Sequence, residues 1–395
     1  MKPTICFATI CKNEEECILK TLESVWKHID YWIVCDTGSI DNTVKIVKDF
    51  FNQKNIPGEL YIDEWVGFDY NKTLLFERCY KKTDYIIHFD ADDILSDNFI
   101  IGDEFTDFNN YIGYNVNMRR GKYEYKNMLL FNNNYKWKIV GVAHNSYICE
   151  GNGKRLTVKS LYDQKYYLLS TDNGSRSKDP EKYRKDAEIL VKQFYETLVY
   201  DKYNINSRSA FYAAQSFYDC NDYPNAITWY SLYTKLENIW LEEKFEAYLR
   251  MSSCLIHMNY NIMDIVKNMS KCITIFEDRA EPYTIMGDYY LMYDRYDMAY
   301  FCYMKGAEKN YTSVFNKYSL FIDPESYGLY PLYKAMIMCM KNENNNEFVR
   351  LYVKIKRENT NNKIIMDLDA IKHYNNITKL EPKPVWISEF SKYNT

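Results

Sequence analysis

Tyr85-Ile86-Ile87-His88-Phe89-Asp90-Ala91-Asp92-Asp93 is a short apolar run that ends in three carboxylates. The residue types of its first five positions are those of a strand. Asp90 and Asp92 stand in D-x-D spacing with Ala91 between them. Carboxylates crowded at the end of a buried strand repel one another and resist leaving water. A divalent cation relieves both problems, and hard oxygen ligands beside substrate phosphates suit Mg²⁺ or Mn²⁺. A bare D-x-D also serves as a turn or a helix cap. The neighbouring segments decide between the two.

Upstream the chain alternates strand and helix. Thr4 to Ile10 is a strand expectation, and Ile18, Leu22, Val25 and Trp26 follow helical spacing. Tyr31 to Cys35 is a second strand, and Asp36-Thr37-Gly38-Ser39 is a turn. Ser39 or Asp41 can cap the helix that carries Val44, Val47 and Phe51. Glu59 to Asp63 and Tyr85 to Phe89 are further strands, with a helix from Thr73 to Tyr80 between them. This order predicts an α/β fold with a doubly wound, mainly parallel sheet. Ligands bind such sheets beyond the carboxyl ends of the strands. Lys12-Asn13-Glu14-Glu15, Asp36-Thr37-Gly38-Ser39 and Asp90-Ala91-Asp92-Asp93 all fall at those ends. Their convergence favours the metal reading of the acidic motif.

Ten of the 13 glycines lie at or before Gly174, so the grammar changes there. The expected domains are a catalytic sheet domain over 1–178 and a helical domain over 179–395. Ala213, Ala214, Phe217, Ala226, Tyr230 and Tyr233 fit a helix-turn-helix, with Asn221-Asp222-Tyr223-Pro224 as the turn. Gly287, Tyr290, Ala299 and Tyr303 repeat the pattern. Ala226 and Ala299 are 73 residues apart, close to two tetratricopeptide periods of about 34 residues. A degenerate copy is expected around Glu243 to Phe276, and a further helical pair over Leu329 to Tyr352. Trp386, in the Pro-bearing tail, is a candidate docking anchor.

The 395 residues allow about two domains. Fifty basic and 54 acidic residues leave a net charge of −4 with no long block of either sign, so nothing suggests a nucleic-acid footprint or a polybasic membrane patch. The 11 cysteines form no C-x-x-C pair, as expected for free thiols in a reducing compartment. No uncharged apolar run reaches transmembrane length, and the N-terminus lacks a signal-peptide layout. A cytoplasmic location is expected.

Several motifs together resemble the glycosyltransferases of family 2, with the GT-A fold. They are Ile10-Cys11-Lys12-Asn13-Glu14-Glu15, the run from Val34 to Thr43, and the acidic motif at its expected distance. Trp65-Val66-Gly67-Phe68-Asp69-Tyr70-Asn71-Lys72-Thr73, Val140-Gly141-Val142-Ala143-His144-Asn145 and Asp172-Asn173-Gly174-Ser175-Arg176-Ser177 resemble a subgroup fused to tetratricopeptide-like helices. Lys72 departs from that subgroup's Arg, and Asn145 from its Glu.

The resemblance implies a metal-dependent transfer of a hexose or N-acetylhexosamine from a UDP-sugar to a protein or glycan acceptor, with inversion. It implies Mn²⁺ or Mg²⁺ on Asp92 and Asp90, with His144 as an additional metal ligand or a group touching the diphosphate. It implies donor binding by Cys11, Asn13, Glu14, Asp36, Asn71, Lys72, Asp90, Ala91 and Arg176. Asp93 would be a supporting carboxylate or a cap. Asp172 is the first candidate for the base that deprotonates the acceptor, ahead of Asp69 and Asp163. The helical domain would present the acceptor or form a homodimer. Two alternatives stay open: a sugar-phosphate nucleotidyltransferase, and a binding scaffold with an impaired catalytic domain.

Overall fold

The computed structural model describes residues 3–99, 111–121, 123–150, 157–160, 166–359 and 368–378. Four strands, β1 (Ile5–Cys11), β2 (Tyr31–Asp36), β3 (Gly58–Ile62) and β4 (Tyr85–His88), alternate with helices α1 (Ile18–Val25), α2 (Thr43–Lys54) and α3 (Phe68–Cys79). They lie in the order β3-β2-β1-β4, and all of their pairings are parallel. Side chains alternate across a strand, and β1 shows the consequence. Ile5, Phe7 and Cys11 join Ile18, Leu22, Val25, Val47 and Phe51 in one buried cluster. Cys6, Ala8 and Ile10 join Leu75, Phe76 and Cys79 in another. Thus α1 and α2 cover one face of the sheet and α3 covers the other, as the doubly wound expectation required.

Beyond β4 the sheet is mixed. The long strands β6 (Tyr111–Arg120) and β7 (Tyr123–Asn132) form an antiparallel hairpin, and β7 pairs antiparallel with β4. The chain turns at Gly121, whose φ of +56° suits glycine. Outside β6 lies the short β11 (Tyr167–Leu169), parallel to it. The two-residue strand β5 (Ile94–Leu95) then pairs antiparallel with β11. The strand β10 (Thr157–Ser160) also pairs with β6. A separate ribbon joins β8 (Lys136–Val140) to β9 (Ser146–Glu150). The parallel expectation therefore holds for the half of the sheet whose strands are joined through helices. Beyond β4 the pairings β4–β7, β7–β6 and β11–β5 are antiparallel, while β10 and β11 each run parallel to β6.

Helices α4 (Lys182–Glu196), α5 (Ile205–Asp219) and α6 (Tyr223–Tyr233) follow. Contacts group residues 1–239 and 319–321 as one compact unit and the remainder as a second. The expected break at 178/179 is where sheet gives way to helix, but α4 and α5 stay with the sheet. The reason is polar: Arg176 pairs with Asp186, Val142 donates its N–H to Gln193, and Arg208 donates to the His144 carbonyl.

The second unit holds α7 (Leu241–His257), α8 (Ile262–Ile275), α9 (Glu281–Met292), α10 (Tyr296–Ala307), α11 (Tyr311–Lys317), α12 (Leu329–Lys341), α13 (Asn345–Glu358) and α14 (Leu368–Thr378). The expected pairs over Glu243 to Phe276 and Leu329 to Tyr352 are present as α7/α8 and α12/α13. Gly287 packs face to ring on Tyr303, where an added Cβ would stand 2.5 Å from the ring. The Tyr303 hydroxyl donates to Asp288 at 2.6 Å. Trp386 lies outside the described residues. Among the described residues no helix is long and apolar enough to cross a membrane.

One ion pair ties α3 to the sheet end. Arg78 makes two bonds to Asp63, at 2.5 and 2.7 Å, and lies 4.0 Å over the Tyr61 ring. The guanidinium holds the Asp63 carboxyl below its usual range. A depressed carboxylate stabilises the fold above its unfolded pKa and loses that effect as pH falls through the folded value. Asp63→Asn is therefore expected to cost about 1–3 kcal/mol at pH 7. The gap from the parent chain should close as pH falls below about 3.8. Urea unfolding at pH 7, 4 and 3 measures both, and a gap that widens on acidification overturns this account.

Candidate functional site

The carboxyl ends of β1, β2 and β4 lie side by side, with Cys11 in register with Asp36. Each end makes a turn stabilised by its own polar groups. Asp36 is buried and accepts from the N–H groups of Gly38 and Ser39 and from the Ser39 hydroxyl. The Cys11 thiol donates to Asp36 at 3.7 Å, and burial followed by the Asp36 charge pushes that thiol well up. Asn13 has a φ of +56°. Its N–H donates to the Ser39 hydroxyl, and its carboxamide oxygen accepts from Ile40. The N-cap position of α2 is Asn42, whose side chain makes no capping bond; Asp41, one residue earlier, accepts from the Thr43 N–H and hydroxyl. Ser39 is committed to the Asp36 turn.

The three carboxylates after β4 meet three different fates. Asp90 bonds the buried Lys72 ammonium at 3.0 Å and keeps 61 % of its side chain exposed. The Lys72 charge holds the Asp90 carboxyl below its usual range. Burial pulls the Lys72 ammonium down, but Asp90 and then Tyr147 more than offset it, so its pKa is raised. Asp92 accepts from the Gly174 N–H at 3.0 Å, and burial plus the Asp90 charge push it up. Asp93 is buried, and burial, Asp90 and Asp92 push it up to about 8. The Ala91 carbonyl accepts from Thr21 at 2.8 Å, which pins the turn to α1.

A strap over Thr171 to Lys178 crosses these ends. Thr171 donates its hydroxyl to the Asp92 carbonyl, and Ser175 donates its N–H to Glu14. The Ser175 hydroxyl donates to the Lys12 carbonyl, and Lys178 pairs with Glu16. Successive strap amides, those of Gly174 and Ser175, thus reach carboxylates from two different strands. Burial raises the Glu14 carboxyl, against the bonds from Cys17 and Ser175. An added Cβ on Gly174 would meet the Asp92 carboxylate at 2.9 Å.

Some expected site residues do other work. Asn71 is fully buried. Its carboxamide accepts from Val66 and Gly67 and donates to the Glu64 carbonyl, so it braces the loop before α3. Lys72 faces Asp90 as a point charge. Asp172 is exposed and bonds Arg120 at 2.7 Å. Asp69 accepts from the Tyr70 N–H. Asp163 lies outside the described residues. Arg176 pairs with the buried Asp186 and lies 4.9 Å over the Phe68 ring.

His144 has a φ of +49° and stacks on Tyr212, with ring centroids 4.0 Å apart. Its ring pKa falls to about 3, through desolvation and then through Arg208, Arg176, Arg120 and Lys182. Among the described residues no three His, Cys, Asp or Glu side chains form a ready metal-ligand group. His144, Asp90 and Asp92 are therefore not gathered into the expected triad. Asp90 and Asp92 alone fit a hard divalent cation, because such a charge would relieve the crowding that raises Asp92.

Sequence reasoning missed Arg120, Lys182, Arg208 and Tyr147. They stand on β6, α4, α5 and β9, with no spacing that links them. Only the Arg119-Arg120 pair before a turn glycine could have drawn notice. Asp92 and Asp172 line one cavity of about 240 Å³ with Glu16, Cys17, Lys20, Ile94, Asn173 and Lys178.

Residues 6–101 match the family of glycosyl transferases called family 2. Over those residues the chain is similar to family 2 glycosyltransferases, and this stretch holds β1 to β5 of the sheet. An uncharacterized glycosyltransferase of Rickettsia typhi is 24 % identical over 184 residues, which is 46 % of this chain and 54 % of that protein. The chain thus spans about half the length of the curated relative it matches. Staphylococcus aureus TarS (residues 1–349, with UDP-GlcNAc) aligns at 13 % identity and a TM-score of 0.33, over 76 % of this chain and 90 % of that one. The mannosyltransferase PcManGT of Pyrobaculum calidifontis, with GDP-Man and Mn²⁺, aligns at 9 % and 0.35, over 72 % and 86 %.

The brace made by Asn71 gives a direct test. Asn71→Ala leaves the Val66 and Gly67 N–H groups without that acceptor and is expected to cost about 1–3 kcal/mol. Thermal or urea unfolding reads the loss. An unchanged midpoint would show that the brace contributes nothing.

Proposed function

We propose that the chain is a divalent-metal-dependent glycosyltransferase that moves a hexose or N-acetylhexosamine from a UDP-sugar to an acceptor hydroxyl, with inversion. The observation that carries the reading is the shared cavity. Asp92, the candidate for the metal, and Asp172, the candidate base, both line a cavity of about 240 Å³, which supports the reading. Asp92 and Asp90 would hold Mn²⁺ or Mg²⁺, which supplies charge stabilisation to the departing diphosphate. The turns at Cys11, Asn13, Glu14 and Asp36 would form the floor for base and ribose.

Lys72 keeps Asp90 ionised and fixed, a positioning role. Arg176 offers a fork suited to a diphosphate oxygen. Asp172 would take the proton of the acceptor hydroxyl as its oxygen bonds the anomeric carbon. The carbon–oxygen bond to UDP breaks on the opposite face, and the electron pair leaves with UDP. Inversion at that carbon follows. His144, set among cations, would border an anion rather than hold the metal. The helical pairs would be tetratricopeptide-like and present the acceptor.

A screen of nucleotide sugars with Mn²⁺ tests the whole reading by UDP release. Asp92→Asn is expected to lose metal-dependent release. Asp172→Asn is expected to lower transfer about 10²–10⁴-fold while UDP still binds. Pyrophosphate release would instead mark a nucleotidyltransferase. Absence of binding and turnover with every donor would overturn the reading, and a product retaining the donor's anomeric configuration would overturn inversion.

A further inference from the structure

The end of β3, the loop after it and the first turn of α3 expose Ile62, Trp65, Val66 and Tyr70 to solvent. Water disfavours so much apolar surface, yet the loop is built to hold Trp65 in place. The buried Asn71 carboxamide donates to the Glu64 carbonyl at 2.9 Å and accepts from the Val66 N–H at 3.0 Å. One side chain thus grips both peptide groups that flank Trp65. The indole also meets the Phe68 ring edge to face, with centroids 4.8 Å apart and planes at 83°. Trp65 still remains 40 % exposed.

Short contacts lead from this ring to the acidic turn and the strap. The Phe68 ring has the Arg176 guanidinium 4.9 Å from its centroid and the Lys72 ammonium 5.8 Å from it. Lys72 bonds Asp90 at 3.0 Å. Arg176 belongs to the strap that also carries Asp172. Phe68 is engaged by cations, and Trp65 is the ring of the pair left open. An indole face is electron-rich and matches the C–H face of a pyranose, whose ring hydrogens carry partial positive charge. The hydroxyls of such a sugar point away from that face, and carboxylates accept from them. Glu64 precedes Trp65, and Asp69 stands in the first turn of α3. The same two carboxylates would repel an anionic lipid surface.

We propose that Trp65 is the platform on which a pyranose ring of the acceptor stacks, with its C–H face on the indole. The acceptor class is then a glycan or glycoside, not a bare side-chain hydroxyl. This rests on the glycosyltransferase reading above and deepens it. The acceptor is the favoured occupant because the contacts of Trp65 run through Phe68 to Arg176 and Lys72. Arg176 shares its strap with Asp172, the group read as taking the acceptor's proton. Asn71 is then a positioning residue: it fixes Trp65 before the sugar arrives, which lowers the ordering cost of binding.

Saturation-transfer NMR on the full chain tests this with methyl β-glucopyranoside, methyl N-acetyl-β-glucosaminide and sorbitol, each added to protein saturated with UDP and Mg²⁺. At least one glycoside is expected to receive saturation, strongest at the ring protons of one face. Sorbitol has the hydroxyls but no ring face and is expected to receive none. Trp65→Ala is expected to weaken glycoside binding about tenfold and Trp65→Phe about threefold or less, with UDP affinity within about twofold in both. The indole N–H resonance missing from Trp65→Phe identifies Trp65 in the parent spectrum. It should shift when the glycoside is added, a readout that does not depend on the alanine variant folding. Absence of glycoside binding, equal binding of sorbitol, an unmoved Trp65 resonance, or binding untouched by Trp65→Ala would each overturn the proposal. So would a tenfold loss of UDP affinity in both variants, about what a lost stacking contact costs, which would assign the ring to the nucleobase. Failure of UDP to bind the parent chain would instead sink the glycosyltransferase reading. The glycoside arm is then repeated without UDP and judged by the same substitutions.

Discussion

Three carboxylates within four residues at the end of a buried strand set the terms for everything around them. At 4 Å two like charges cost about 4 kcal/mol at an effective dielectric of 20, so they cannot all stay ionised and unattended. The chain resolves this in three ways. Asp90 receives a buried ammonium from α3, Asp92 receives a backbone N–H from the strap, and Asp93 is pushed towards its neutral form by burial. Each solution recruits a different piece of the chain. The position of α3, the path of the strap and the pinning of Ala91 to α1 all follow from the same crowding.

The legible part of the fold was the part governed by period and punctuation. Strands β1, β2 and β4 are buried on both faces and nearly uninterrupted in apolar residues, so their existence and order could be read directly. The start of α3 at Phe68 could not. Its first turn carries Asp69, Tyr70 and Asn71, and the brace that shapes it runs backwards from Asn71 to residues 64–67. Nothing in a linear pattern shows that a side chain is committed to the backbone that precedes it. The antiparallel half of the sheet was hidden for a related reason. Alternation identifies a strand, but pairing direction depends on connections between distant segments.

The same distinction separates the site residues that were legible from those that were not. Asp90, Asp92, Glu14 and Asp36 lie at strand ends, where topology alone directs attention. Arg120, Lys182 and Arg208 stand on β6, α4 and α5, which no linear spacing links. His144 was legible as a special position, but its chemistry was not. Its neighbours in sequence suggest a metal ligand, whereas its neighbours in space are cations and a tyrosine ring.

Lysine at position 72 is consistent with the geometry it serves. The contact is one nitrogen to one oxygen, Nζ to Oδ1 of Asp90, with Tyr147 as a further neighbour. An ammonium is a compact point charge and meets that demand with a single donor, whereas a guanidinium is a rigid fork that seeks two acceptors. A fork at this depth would need a second acceptor beside Asp90. The Lys72 charge is thus spent on the acidic turn, where it pairs with Asp90. Under the proposed function Arg176 would be the forked cation offered to the donor. Its partner Asp186 and the Phe68 ring hold it there without enclosing it. The lysine at position 72 thus serves the acidic turn itself, and Asp90 and Asp92 both remain at the end of β4.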